Sequence, residues 1–259
     1  MGHAATDLRR EDDHLLRGQG RYSDDVAIAG QAHGVVYRSP YPHGIIRNLD
    51  ISIARAQPGV LAVYTFADLA AAGYTAFPFD MSITNQDGTA PFVPNRYALA
   101  HERVRHVGEA VAFVVAETRN QARDAADLIE FDVEALPVVI DPVQALKNDA
   151  VHLHETAGNL CLDWQGGDVE ATEAAFATAA HIVRIEPVVS RVAVAAMEPR
   201  CGSASADPVT GRLVLHMPTQ GVWDMHRMLT GVMKMAPEQL QVISGNVGGS
   251  FGLKAQYHG

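Results

Sequence analysis

A chain of 259 residues with 47% hydrophobic and 19% charged side chains can bury a sizeable core, which excludes global disorder. Its 30 acidic residues outnumber 20 Lys and Arg, for a formal charge of −10, and this excludes a general nucleic-acid binder that relies on clustered cations. The two cysteines, Cys161 and Cys201, supply neither a disulfide framework nor the thiolate set of an iron–sulfur cluster, so any such cluster belongs to another chain.

At ~150 residues per domain, the length fits one large domain or two ordinary ones. The apolar run at residues 110–116 is far shorter than the ~20 residues of a spanning helix. Arg9-Arg10 is followed by no apolar stretch of an export signal and reads as surface charge. The expectation is a soluble, cytoplasmic α+β protein with no membrane partner.

In chain order, residues 31–38 and 45–53 read as strands separated by Ser39-Pro40-Tyr41-Pro42-His43-Gly44, and Pro58-Gly59 precedes a third strand over 60–66. Residues 71–97, rich in Gly, Pro, Asn, Asp and Thr, predict a long surface excursion, either a contact loop or an ornament. The unbroken apolar run at 110–116 suits a strand covered on both faces. Thr118 and Gln121 have capping-box spacing, and Ala122, Ala125, Ala126 and Ile129 form one stripe of the helix that follows. A strand over 131–139, broken at Pro137, closes this first unit.

Residues 141–167, carrying Pro142, Asn148, Gly158, Gly166 and Gly167, read as a linker. Asp168 then caps a helix with Val169, Thr172, Phe176 and Ala179 on one face. Strands are expected over 181–194, 200–206 and 212–217. A helix follows from near Gly221, with Val222, Met225, Leu229 and Val232 on one side. A last strand over 241–247 runs into a glycine-rich loop at 248–252.

That loop, Gly248-Gly249-Ser250-Phe251-Gly252, is the most informative segment. Glycines after a strand let backbone amides approach a ligand that side chains would repel, and such amides suit an anionic or oxo group. Leu253 separates Gly252 from Lys254, so a Walker loop is excluded, and G-x-G-x-x-G is absent from the segment. The loop does match G-x-S-x-G, but the residues after Ser250 include no Asp or Glu, and only His258 follows; a hydrolase elbow places both acid and His downstream. Ser250 is therefore not expected to be a nucleophile. His152 and His154 share strand spacing, with Glu155 facing the other way, yet no further ligand set completes a metal site, and they read as linker histidines. His216 reads as a core or rim histidine, and Cys201 as a small buried residue.

The chain resembles the molybdenum-cofactor-binding large subunit of the molybdenum hydroxylases, which include xanthine dehydrogenase, aldehyde oxidase and carbon monoxide dehydrogenase. The resemblance rests on Gly18-Gln19-Gly20-Arg21-Tyr22-Ser23-Asp24-Asp25, Arg38-Ser39-Pro40-Tyr41-Pro42-His43-Gly44, Gln57-Pro58-Gly59-Val60 and Val107-Gly108-Glu109-Ala110-Val111-Ala112. Met197-Glu198-Pro199-Arg200, Pro218-Thr219-Gln220 and the glycine loop continue it in order. It implies a tail over 1–17, an α/β-hammerhead domain over 18–140, the linker, and over 168–259 the first, incomplete part of a molybdopterin-binding domain.

The resemblance further implies that Gln220 donates to an oxo group of molybdenum, and that residues 248–252 (Gly248, Gly249, Ser250, Phe251 and Gly252) bind a molybdopterin dinucleotide cofactor. It places no catalytic residue in this chain: the general base is expected on a C-terminal large-subunit partner, which shares the cofactor. Iron–sulfur clusters and FAD are implied on an iron–sulfur subunit and an FAD subunit, and the substrate as an aldehyde or N-heterocycle hydroxylated with water. The isolated chain is expected to be inactive. A non-catalytic scaffold remnant of the same family is the alternative reading.

Overall fold

The computed structural model describes residues 9–78, 82–154, 158–190 and 192–255; Glu155 and His258 lie outside them. Helix α1 (Asp12–Leu16) and a 3-10 turn at Ser23–Asp25 precede β1 (His33–Arg38) and β2 (Gly44–Asp50). Asp50 ends β2, because its carboxylate accepts the Ser52 amide at 2.8 Å and starts the short helix α2 (Ser52–Arg55). The strand expected over 45–53 therefore stops at Asp50. A similar local bond, the Thr65 amide donating to the Asp68 carboxylate at 2.7 Å, turns the end of β3 (Val60–Tyr64) into helix α3 (Phe66–Ala71).

Two antiparallel sheets form the first half, completed by β4 (Arg103–Val104), β5 (Ala110–Ala116), α4 (Arg119–Ala126) and β6 (Glu130–Ala135). Their orders are β1-β5-β3 and β4-β2-β6. Successive side chains of a strand point to opposite faces. On one face of β5, Ala112, Val114 and Ala116 pack with Ala122, Ala125 and Ala126 of α4 and with Ile129. On the other, Val111 joins Ala100, Val104 and Val133. This double burial is why β5 lacks polar alternation. Thr118 caps α4 as its spacing predicts, its hydroxyl accepting the Gln121 amide at 3.2 Å.

The long excursion packs against its own chain. Thr75 donates its amide to Val232 O at 2.9 Å, Gln86 to Asp163 O at 2.8 Å and Phe92 to Cys161 O at 2.9 Å. The linker contains the single turn α5 (Pro142–Ala145), and Asp168 caps α6 (Val169–Thr178) by accepting the Ala171 amide at 2.9 Å. The expected face of α6 is not buried here: Val169 and Phe176 are exposed.

Residues 181–190 and 192–194 form no strand, contrary to the alternation of their sequence. Ile182, Val183, Ile185, Val188, Val189 and Val192 all stand exposed. A strand needs a hydrogen-bonding neighbour, and none pairs with this segment among the described residues.

The second half holds a third sheet, β7-β8-β9, built from β7 (Ser203–Ala206), β8 (Leu213–His216) and β9 (Leu240–Ile243). β7 runs antiparallel to β8, whereas β8 and β9 are parallel and are joined across α7 (Val222–Met233). Met225, Thr230 and Val232 are the buried residues of α7. No helix among the described residues is long and apolar enough to cross a membrane.

Candidate functional site

Parallel neighbours send their following loops out at the same edge of a sheet, and in open α/β sheets ligands collect outside those carboxyl ends. Here β8 leads into Pro218-Thr219-Gln220 and the N-terminus of α7, while β9 leads into the glycine loop. Lys254 joins the two loops. Its carbonyl accepts the Gln220 amide at 3.1 Å and the Thr219 hydroxyl at 3.2 Å. Thr219 is buried and also donates its amide to Ser244 Oγ at 3.3 Å, whereas Gln220 is exposed.

The loop follows the contour that its glycines permit. A Cβ on Gly248 would lie 2.5 Å from Glu198 Cβ, so only glycine allows the Met197-Glu198-Pro199-Arg200 segment to lie against it. Gly249, Phe251 and Gly252 have φ of 92°, 50° and 87°; Phe251 is a non-glycine residue in the left-handed region and is 79% exposed. The Ser250 carbonyl accepts the Leu253 amide at 2.8 Å, and its hydroxyl accepts the Lys254 amide at 3.1 Å. That hydroxyl is thus a turn cap, and among the described residues no His or carboxylate of the kind a nucleophile requires partners it.

Donors are left over. The amides of residues 249–252 and the Gln220 carboxamide bond to no acceptor among the described residues. These donors lie on the loops that follow β8 and β9 and are of a kind suited to an oxygen-rich anionic group. The donors present therefore fit the oxygen atoms of a bound anionic group.

Beneath the loop, the Glu198 carboxylate accepts the Ser23 amide at 3.1 Å, the Gly248 amide at 2.8 Å and Lys254 Nζ at 2.8 Å. The Lys254 side chain is 0% exposed and that of Glu198 8%. Burial pushes the Glu198 carboxyl upward, but the bonds from Lys254, Gly248 and Ser23 outweigh it and hold it below its ordinary value. The sequence reading missed this pair, treating Lys254 only as a misplaced Walker lysine. The signal that could have found it is the company of Lys254 in a glycine-rich apolar stretch, where a lysine persists only beside a buried acid.

The remaining singled-out residues stay apart from the loop. His154 is half-buried with its ring 5.8 Å from Phe92, and burial lowers its pKa, so it is a packed linker residue rather than a surface one. Among the described residues no group of three His, Cys, Asp or Glu could hold a metal ion. Burial, with the nearby charges of Glu198 and Asp24, pushes the Cys201 thiol up, which disfavours the thiolate. His216 sits in β8 opposite Ser203 and Ile243.

Comparison with known proteins matches both halves of the chain. Residues 17–137 match the family model for the aldehyde oxidase and xanthine dehydrogenase a/b hammerhead domain, and residues 152–259 that for the molybdopterin cofactor-binding domain. The nicotine 6-hydroxylase large subunit of Paenarthrobacter nicotinovorans is 36% identical over 249 residues, covering 95% of this chain and 29% of that protein. The carbon monoxide dehydrogenase large chain of Afipia carboxidovorans is 33% identical over 259 residues, covering 95% of this chain and 31% of its own length. Among solved structures, quinoline 2-oxidoreductase from Pseudomonas putida 86 superposes with a TM-score of 0.83 at 33% identity, covering 95% of this chain and 30% of that one. The chain thus spans about a third or less of the length of the relatives it matches. It belongs to the molybdenum hydroxylase large-subunit family, matching that subunit's hammerhead and the first part of its molybdopterin-binding region.

Proposed function

We propose that this chain supplies the N-terminal share of a molybdenum hydroxylase large subunit and helps hold a molybdopterin dinucleotide cofactor. The observation that carries this reading is that donors without a described acceptor, the Gln220 carboxamide and the amides of residues 249–252, lie on the two loops at the carboxyl ends of β8 and β9. When bound, the cofactor supplies the redox chemistry that places an oxygen from water on an aldehyde or N-heterocycle. Gln220 orients it through an N–H donated to an oxygen acceptor. Gly248, Gly249 and Gly252 allow close backbone approach, and Ser250 and Phe251 contribute amides rather than side-chain chemistry. N-heterocycles are favoured as substrates by the names of the nicotine and quinoline relatives.

The remaining parts of the enzyme belong to partners: a C-terminal large-subunit portion carrying the general base, an iron–sulfur subunit and an FAD subunit. The names of the relatives, a nicotine 6-hydroxylase large subunit and a carbon monoxide dehydrogenase large chain, support an assembly of several chains. The exposed apolar side chains of residues 181–194 and of α6 are where the C-terminal portion would seat.

The 259-residue chain alone is therefore expected to turn over no aldehyde or N-heterocycle. General-base assistance alone contributes about 10²–10⁴-fold, and an incomplete metal site costs more. Assays of the pure chain, with and without the C-terminal portion, test this; steady turnover by the chain alone would refute the proposed division.

A further inference from the structure

Three segments far apart in sequence meet under the glycine loop. Besides the bonds of Glu198 to Ser23, Gly248 and Lys254, the Glu198 amide donates to Gly248 O at 3.0 Å. Beside them, Arg21 donates its amide to Asn246 Oδ1 at 2.9 Å and accepts the Asn246 amide at 3.1 Å. A Cβ on Gly245 would come within 2.9 Å of Arg21 O. Residues 18–25, expected to open the hammerhead domain, thus also strap the loop of the second unit. The loop is tied at both ends, at Gly248 and at Lys254, to one carboxylate. Between the ties lie the amides that bond to no described acceptor.

We infer that Glu198 and Lys254 are positioning residues which, with the Arg21–Asn246 strap, set the conformation in which residues 249–252 present their amides. This deepens the proposed cofactor role and rests on it for its functional meaning. A buried lysine and a buried glutamate are each costly alone, so the pair holds its geometry tightly. The loop keeps its left-handed residues only while both ends are pinned. The latch serves position as well as stability, and the two can be separated.

Hydrogen–deuterium exchange read by mass spectrometry on the full chain, without cofactor, makes the separation. Peptides covering residues 244–255 report the bonded amides of Asn246, Gly248, Leu253 and Lys254, and a peptide covering β5 reports global stability. In Lys254→Met the loop peptide is expected to exchange at least about tenfold faster, and β5 to exchange faster as well, because the stranded Glu198 charge lowers global stability. In Glu198→Gln/Lys254→Met no charge is stranded, so the melting temperature should recover toward the parent while the loop peptide still exchanges fast. Asn246→Ala should accelerate the same peptide with the ion pair intact. Unchanged loop protection in Lys254→Met would overturn the inference. So would a double variant in which loop protection recovers together with the melting temperature, because that is the behaviour of a purely stabilising pair. Unaltered exchange in Asn246→Ala would remove the strap from the latch. Since no cofactor is present, a chain that bound no molybdenum would still give these results, and the failure of one reading is distinguishable from that of the other.

Discussion

Gln220→Ala in the assembled enzyme is expected to lower turnover by roughly a hundredfold or more, as for loss of one donor worth ~2.7–4 kcal/mol to a transition state in a dry site. Folding should be nearly untouched. Gln220 is exposed, its carboxamide bonds to nothing among the described residues, and its backbone bond to Lys254 O survives the substitution. Gly252→Val should be at least as damaging, because φ of 87° is a conformation a β-branched residue resists. Ser250→Ala is the control. It removes the acceptor of the Lys254 amide, a loss of ~0.5–1.5 kcal/mol in loop stability, and leaves the backbone donors in place. Assays of the three variants at matched metal content decide. An inactive Ser250→Ala beside a near-normal Gln220→Ala would overturn the assignment and restore a serine nucleophile.

Breaking the buried ion pair from one side is expected to cost ~3–5 kcal/mol of stability, because Lys254→Met leaves the Glu198 charge without its cation. Chemical denaturation of the parent and the variant measures it, and a loss below about 1 kcal/mol would mean that the pair is not dry as described. The pH dependence has a definite sign. Glu198 has a folded pKa held below its ordinary value, so its contribution is present above the unfolded carboxylate range and is lost as the pH falls through the folded value. Acid should therefore destabilise the parent more than the Glu198→Gln/Lys254→Met double variant. Equal acid sensitivity of the two would contradict the linkage.

Much of the first half was legible because its signals are local. β5 is one unbroken apolar run, α4 shows its cap at Thr118 and its alanine stripe, and both depend on neighbours that the chain itself provides. Strand ends were misjudged where a side chain captures a nearby amide, as Asp50 and Asp68 do; apolar periodicity does not register such bonds. Residues 181–194 carry a strand pattern without a strand, since alternation describes a face to be covered and not the partner that covers it. Motif order singles out the glycine loop and Gln220, and the structure sets them after β9 and β8. The Glu198–Lys254 pair was not legible, because the two residues lie 56 positions apart and the usual place of either side chain is in water.

The most direct measurement of the central claim is the molybdenum content of this chain purified together with the C-terminal portion of its large subunit. The account predicts stoichiometric molybdenum with a pterin in the folded assembly, and depletion in Gly252→Val where assembly itself is preserved. A folded, fully assembled complex free of molybdenum would contradict it and leave the chain as a scaffold that keeps the family's fold without its cofactor.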